Sequence, residues 1–507
     1  MMINLSDTHI SVASLADLNN PQLQSTVEIA PYDTAVLRFG DYVVEEIQSQ
    51  PYYGWSANQD RTEFRVKQAG GNIENKTPVA TFSMGQVARV FKHGDHQLVA
   101  IRYIQQPPTK ANPNWQPPVI EAQVFDLTDP TNPRKAGKAT LPNDIQLYYG
   151  YWCGDWFWGA WGFNGSSNNI ISTTSGLQIL GQSWQNNGNN NGGSWTTRLI
   201  SLDLTSSDAP AVTTKLIETV GNSGEWWASS YGLAADPVDP AGFYLTYRKH
   251  VGDTKTGSLT LAIFKDYAQR WDLSGGQWAA GDTVNLPGRL TNTYLNGAGQ
   301  RIFVAQDYRW SWIADPGNGG GHGASTLRLA LLRQIRSLGR TVAELLDSKT
   351  FDDIYPSSMV IADEKLMVVG RHQTYGYFYP ISGGGGIVAR PGGGVAALTS
   401  TADPSSDRLM IYDLSAGKFG GLYDSPTGMY NSDLVGHHNG RLLMNLQGEG
   451  FLVVDLSKPA APNGVRFVRT LGWANNIEFA GGDVYIASGY YGVQHFTLAD
   501  PPSLLTN

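Results

Sequence analysis

The sequence predicts an all-β fold, a single closed β-propeller of four-stranded antiparallel blades. Three observations predict it. A strand-and-turn motif centred on Asp recurs from end to end. Apolar hairpins with Gly at the turn recur between its copies. The shortest spacing between copies is 42 residues, from Asp413 to Asp455 and from Asp455 to Thr497, which is the length of one four-stranded blade.

Composition agrees. Only 16% of the 507 residues are charged, while Gly (58), Trp (15) and Tyr (24) are plentiful. Such a chain favours short strands and tight turns over long helices. Length alone would suggest several domains. A closed repeat array escapes that expectation, because each repeat buries its faces on its neighbours, so residues 1–507 read as one domain. The net charge of −8 gives no electrostatic case for nucleic acid. No run of apolar residues is long enough for a membrane-inserted helix. The N-terminus lacks the basic and apolar regions of a signal peptide. The single cysteine, Cys153, forms no intrachain disulfide.

The motif is clearest at Gly450–Pro462, an apolar strand, then Asp455, then a Leu-Ser-Lys-Pro turn and a second Pro. Earlier copies carry Ser14, Asp126, Asp203, Asp272 and Asp413 at the same position, and the last carries Thr497. Weaker copies lie near Val66 and Leu331. A carboxylate there can accept backbone N–H groups of the following turn, and Pro ends ladder pairing, so these Asp residues read as structural. The second mark, two apolar strands about a Gly-centred turn, is plain at Val36–Glu46, Val87–Tyr103, Leu434–Leu446 and Ile477–Gly489. Each unit then reads as strands A, B, C and D, with the Asp ending C. Nine marks give eight blades, or seven if a weak copy is spurious. The chain starts in C and D and finishes in A, B and C, so an N-terminal strand is expected to close the ring by pairing into the last blade. Glycine-rich tracts near 186–194, 316–323 and 382–394 read as loop insertions. Leu327–Asp347 has helical spacing and good helix formers, and reads as a strand followed by a short helix.

The segments Leu452–Pro459 and Phe125–Pro133, with the Gly482-Asp483 hairpin, resemble the LVIVD-type β-propeller repeat of bacterial, largely secreted proteins. The likeness covers the first 140 residues and the last 100. It implies a propeller and an extracellular or cell-surface location. It supplies no catalytic residues.

Function is expected where the D–A and B–C connections emerge together around the central channel. Candidate ligand-binding residues there are Tyr151, Trp152, Trp158, Trp161, Trp226 and Trp227 in the first half of the chain. Tyr247, Arg248, Tyr308, Trp310, Arg371, His372, Tyr430, Trp473 and Tyr490 follow. Aromatic planes among amides and a few charges suit stacking on sugars or gripping a peptide, so a glycan or protein partner is expected. No HExxH, GxSxG, P-loop or haem-attachment motif occurs. The expected function is therefore non-catalytic binding. One alternative is a polysaccharide lyase or hydrolase using scattered residues such as Arg248, His250, Arg371 and His372. Another is a structural subunit of an extracellular assembly. No cofactor is expected, although calcium could bind the acidic loops Asp236–Pro240 or Ala402–Asp407. His437 and His438 read as a solvated pair in an A–B turn on the opposite face.

Overall fold

All nine motif positions lie on β-strands, and six of them (Ser14, Asp126, Asp203, Asp413, Asp455 and Thr497) are the last residue of the strand. The computed structural model describes residues 2–5, 9–17, 22–28, 32–48, 61–85, 87–104, 106, 118–142, 170–186, 193–220, 230–256, 259–314, 321–372, 406–429, 432–446 and 449–505.

The chain opens with β1 (Met2–Leu5), β2 (His9–Ser14) and β3 (Gln22–Glu28), which among the described residues pair with one another alone. Blade I is β4 (Asp33–Phe39), β5 (Tyr42–Gln48), β6 (Arg61–Gln68) and β7 (Ala80–Gly85). Blade II is β8 (Arg89–His93), β9 (Gln97–Ile104), β10 (Val119–Asp126) and β11 (Arg134–Leu141). Blade III is β12 (Ile170–Thr173), β13 (Gly176–Asn186), β14 (Gly193–Asp203) and β15 (Ala211–Val220). Blade IV is β16 (Ser230–Ala235), β17 (Gly242–Thr256), β18 (Leu259–Ser274) and β19 (Gln277–Leu286). Blade V is β20 (Arg289–Leu295), β21 (Arg301–Ala314), β22 (Gly321–Ser337) and β23 (Arg340–Asp352). Blade VI is β24 (Ile354–Ala362), β25 (Lys365–His372), β26 (Arg408–Asp413) and β27 (Gly420–Pro426). Blade VII is β28 (Ser432–His438), β29 (Arg441–Leu446), β30 (Gly450–Asp455) and β31 (Asn463–Arg469). Blade VIII presents β32 (Asn476–Ala480), β33 (Asp483–Ala487) and β34 (Val493–Thr497). All ladders are antiparallel between sequence neighbours, in the order A-B-C-D.

The core divides into eight hydrophobic clusters, one for each seam between adjacent blades. That division explains the continuous apolar runs. In β9, Leu98 and Ala100 enter the seam with blade I, whereas Val99 and Ile101 enter the seam with blade III. Both faces of a blade are buried, so alternate residues serve two different interiors. The eighth cluster, with Val36, Val43, Tyr485 and Val493, joins blade VIII back to blade I and completes the ring.

The Asp motif is a turn device. Asp126, Asp203, Asp413 and Asp455 each accept the backbone N–H of the residue two positions on, at 2.8–3.0 Å. Ser14 does the same more weakly to Ala16, at 3.3 Å. Asp272 departs from the pattern: its strand runs on to Ser274 and its carboxylate accepts Arg270 at 2.9 Å.

Two expectations are corrected. Leu327–Asp347 holds no helix; it is the end of β22, a turn at Leu338 and Gly339, and the start of β23. Leu329 and Leu331 fill the seam with blade VI while Ala330 and Leu332 fill the seam with blade IV, so the unbroken apolar run reflects burial on two sides. Among the described residues no N-terminal strand pairs into blade VIII. β2 finds its partners in β1 and β3, its immediate neighbours in sequence, where loop closure costs least, and β34 pairs with β33.

Candidate functional site

The A strands begin, and the B–C connections emerge, on the same end of every blade, here called the upper face. The glycine-rich tracts near 186–194, 316–323 and 382–394 all fall between strands B and C, of blades III, V and VI. Residues 187–192, 316–320 and 382–394 of these tracts are outside the described residues. Tyr151, Trp152, Trp158 and Trp161 lie between β11 and β12, and Trp226 and Trp227 between β15 and β16. These six, with Tyr430 and Cys153, are outside the described residues. Trp310 and His372 are placed on β21 and β25 by their backbones alone.

Two groups of side chains are built on the described part of this face. The first spans blades III to VI. The Tyr247 ring stacks between Tyr231 and Tyr267, with centroids 5.6 and 5.2 Å apart. Tyr231 donates its hydroxyl to Glu218, which Lys249 also meets at 3.1 Å. Burial, then this carboxylate, raises the Tyr231 phenol pKa. Arg248 forks onto Asp266 through Nε (3.0 Å) and Nη2 (2.9 Å), and Nη2 reaches Asp307 of the next blade at 3.0 Å. Asp307 accepts Arg309 Nε at 2.6 Å. Tyr308 meets Tyr355 edge-on at 4.9 Å. Arg371 Nε lies 3.4 Å from Asp407, close enough for an ion pair but not aligned as a hydrogen bond. Tyr247, Arg248, Tyr308 and Arg371 thus belong to one belt of rings and ion pairs. In it Arg248 and Arg371 hold buried aspartates, and His250 holds Asp253 at 2.8 Å.

The second group lies over the seam between blades VIII and I. Trp473, Tyr490 and Tyr491 are 58%, 38% and 48% exposed, and they are the aromatic residues left exposed among the described ones. All three lie in the D–A and B–C connections around blade VIII. Tyr490 meets Tyr32 edge-on at 4.7 Å. Gly489 sits beneath them with φ near +60°, where a Cβ would lie 2.9 Å from the Tyr32 ring. Its glycine lets the chain turn against that ring.

Directly below, the seam is fastened by polar bonds. Asp33 and Gly489 exchange two backbone hydrogen bonds of 3.1 Å. Val36 N–H donates to Asn476 Oδ1 at 3.1 Å, and Asn475 Nδ2 donates to the Asp33 carbonyl at 3.0 Å. Gly70 N–H donates to the Tyr485 hydroxyl and Val493 N–H to Glu74 Oε1. Lys67 Nζ is buried 2.9 Å from Glu45 Oε2 and 3.9 Å from Glu74. Burial pushes Glu45 up to about 7 against the pull of Lys67, and raises Asp33 well above the carboxylate range. Both Asp33 oxygens are buried with no hydrogen-bond partner among the described residues.

No family model and no curated protein matches the sequence. Among solved structures the chain is similar to the β-propeller domain of the Trilobed protease from Pyrococcus furiosus. Identity is 10% and the TM-score 0.30, over 93% of this chain and 99% of that one. So distant a likeness says nothing about activity.

Sequence reasoning placed Trp473 and Tyr490 on the upper face. It missed the seam acids, because Asp33, Glu45 and Lys67 belong to no local motif. The acidic loop at Asp236 is occupied by arginines: Asp236 accepts Arg270 at 3.2 Å and also Arg301. Of the loop at Ala402–Asp407, only Ser406 and Asp407 are described. Among the described residues no group of three His, Cys, Asp or Glu is placed to hold a metal ion. His437 and His438 end β28 in the A–B turn of the lower face, half-buried, with His438 Nε2 2.9 Å from Asn439 Nδ2.

Proposed function

We propose that this propeller is a non-catalytic binding module of the exported, LVIVD-type kind, acting at the cell surface or outside it. Its contact surface is the upper face, and its partner is a glycan. The observation that carries this reading is the convergence of Trp473, Tyr490 and Tyr491 on one rim, beside the amide of Asn475. Flat exposed rings with a neighbouring amide suit the apolar face and hydroxyls of a sugar. Among the described residues the other aromatic side chains are buried or half-buried, so three exposed together stand out.

A polysaccharide lyase or hydrolase would need an acid or base within reach of a bound sugar. The perturbed carboxyls nearest the rings, Asp33 and Glu45, are only 1% exposed. They are better placed to hold the seam than to meet substrate.

The test is a glycan-array screen of the chain and of Trp473→Ala and Tyr491→Ala, with folding checked by circular dichroism. Binding lost in both folded variants supports the proposal. Retained binding, or turnover of a polysaccharide by the parent chain, overturns it. Capture of a protein partner through the same rings would replace the glycan while keeping the surface.

A further inference from the structure

The exposed rings beside blade VIII stand over a seam rather than on one blade. Tyr32 and Asp33 belong to blade I, while Asn475, Gly489 and Tyr490 belong to blade VIII. Among the described residues, backbone pairing across this seam is the single Asp33–Gly489 bridge.

At that bridge three carboxyls share one lysine. Lys67 Nζ lies 2.9 Å from Glu45 and 3.9 Å from Glu74, and it can balance one negative charge. Asp33 is 1% exposed, and neither of its oxygens nor Glu45 Oε1 has a hydrogen-bond partner among the described residues. The other charges of the seam are engaged elsewhere. On blade I, Arg65 Nε holds Glu63 at 2.6 Å, and Lys76 Nζ sits on the Gln68 and Ala69 carbonyls at 2.9 Å. On blade VIII, Asp483 meets Arg38 at 2.5 Å and His495 at 3.1 Å. Glu478 accepts the Arg38 N–H at 3.3 Å, and the Tyr485 hydroxyl accepts the Gly70 N–H at 3.2 Å.

Such a site cannot hold two unbalanced carboxylates out of water at little cost. Burial, with Glu45 and Glu74 adding to it, raises the Asp33 carboxyl, and burial lifts Glu45 to about 7. The closed seam therefore holds protons that are released once it opens to water. Rising pH favours the open form.

We propose that Asp33, Glu45 and Glu74 make this seam a pH-operated latch, which holds the aromatic rim together while they carry protons and lets the two blades part locally when they do not. Parting separates Tyr32 from Tyr490 and Asn475 from Asp33, so the rim loses its shape as pH rises through about 7. What the rim releases rests on the glycan reading; the opening itself does not.

Amide hydrogen exchange of the full chain, read by mass spectrometry at about pH 5.5 and about pH 8 and corrected for the intrinsic rate, tests it. One proton released gives about a ten-fold change per pH unit. Protection in β4 and in residues 484–493 is expected to fall at least about ten-fold at the higher pH, with β16 and β20 of the seam between blades IV and V unchanged. Glu45→Gln, and Glu45→Gln combined with Asp33→Asn, should remove most of the fall; thermal unfolding shows whether each variant is folded. A glycan array read at both pH values should lose its signal at the higher one. Protection that does not change with pH, that falls equally in both seams, or that falls as much in the folded variants overturns the proposal. So does an array signal equal at the two pH values. An array blank at both, with the exchange result as expected, supports the latch and removes the glycan reading alone.

Discussion

Leu456 donates its backbone N–H to the carbonyl of Gly440 at 2.7 Å, tying the end of strand C to the A–B turn of the same blade. Leu127 to His96, Leu204 to Ser175, Leu414 to Glu364 and Leu498 to Gly482 repeat the bond at 2.6–2.9 Å. Before Leu127, Leu204, Leu414 and Leu456 the preceding Asp sets it up; Leu498 follows Thr497 instead. By capping the turn two residues on, the carboxylate fixes the chain direction that delivers the Leu side chain to the core and its N–H to the hairpin.

Asp455→Ala is therefore expected to cost about 1 kcal/mol, the usual value of a lost side-chain cap. Asp455→Asn should recover most of it, because an amide oxygen accepts the same N–H. Denaturant unfolding of both variants checks this; equal losses would remove the capping explanation.

The Thr128 hydroxyl, with the Thr128 N–H and Arg134 adding to it, holds Asp126 down to about 2. A carboxyl lowered in the folded state stabilises above its ordinary pKa of 3.8, and that contribution is lost as pH falls toward 2. Thr128→Val should raise the NMR-measured pKa of Asp126 and move acid unfolding to higher pH.

Two buried acids of β5, Glu45 on the closure seam and Glu46 on the seam with blade II, act in the opposite direction. Burial raises Glu45 and Glu46 from 4.5 to about 7. Such groups stay protonated in the folded chain while the unfolded chain has already ionised. Stability is full below about 4.5 and declines as pH rises to about 7, by on the order of 2–3 kcal/mol for each. Melting temperatures measured from pH 4.5 to 8 should fall with pH from this source, and Glu46→Gln should flatten the fall. An unchanged slope in that variant would contradict the assignment.

Lys67→Met leaves the buried Glu45 and the half-buried Glu74 without their cation. Measured at pH 8, where Glu45 is ionised, the expected loss is about 3 kcal/mol, with faster amide exchange in β33 and β34 than in β29 and β30. Pairing it with Glu45→Leu should restore much of the loss. A double variant no better than the single one would argue that Glu45 is not the unpaired charge that matters.

Arg248 links blades IV and V through Asp266 and Asp307, whose side chains are almost wholly buried. Arg248→Ala is expected to cost about 3 kcal/mol. Arg248→Lys should recover only part, because an ammonium cannot repeat the forked geometry. Thermal unfolding of the pair distinguishes loss of the fork from loss of charge.

The blade plan was legible because its marks are local. An Asp with its cap two residues on, or a Gly between two apolar strands, is written within a dozen residues. Leu327–Asp347 misled for a physical reason: a strand buried on both faces has no polar alternation, so its apolar residues also satisfy a helical period. The aromatic rim was half legible. Trp473 and Tyr490 could be placed on the correct face by counting strands, but nothing local distinguishes them from Tyr485, which is fully buried. The closure seam was not legible at all. Val36 and Asn476 meet across 440 residues, and the charge of Lys67 becomes meaningful only once Glu45 is buried beside it.

Because no described strand is shared between blades VIII and I, their junction is an intramolecular protein–protein interface. Seven other seams hold its two sides together at a high effective concentration. An interface too weak to bind between separate molecules can then stay shut almost all the time. Its opening breaks the Asp33–Gly489 bridge and the side-chain bonds beside it, not a full strand ladder. The propeller is in this sense a clasped band, whose clasp lies beneath its most exposed aromatic rings.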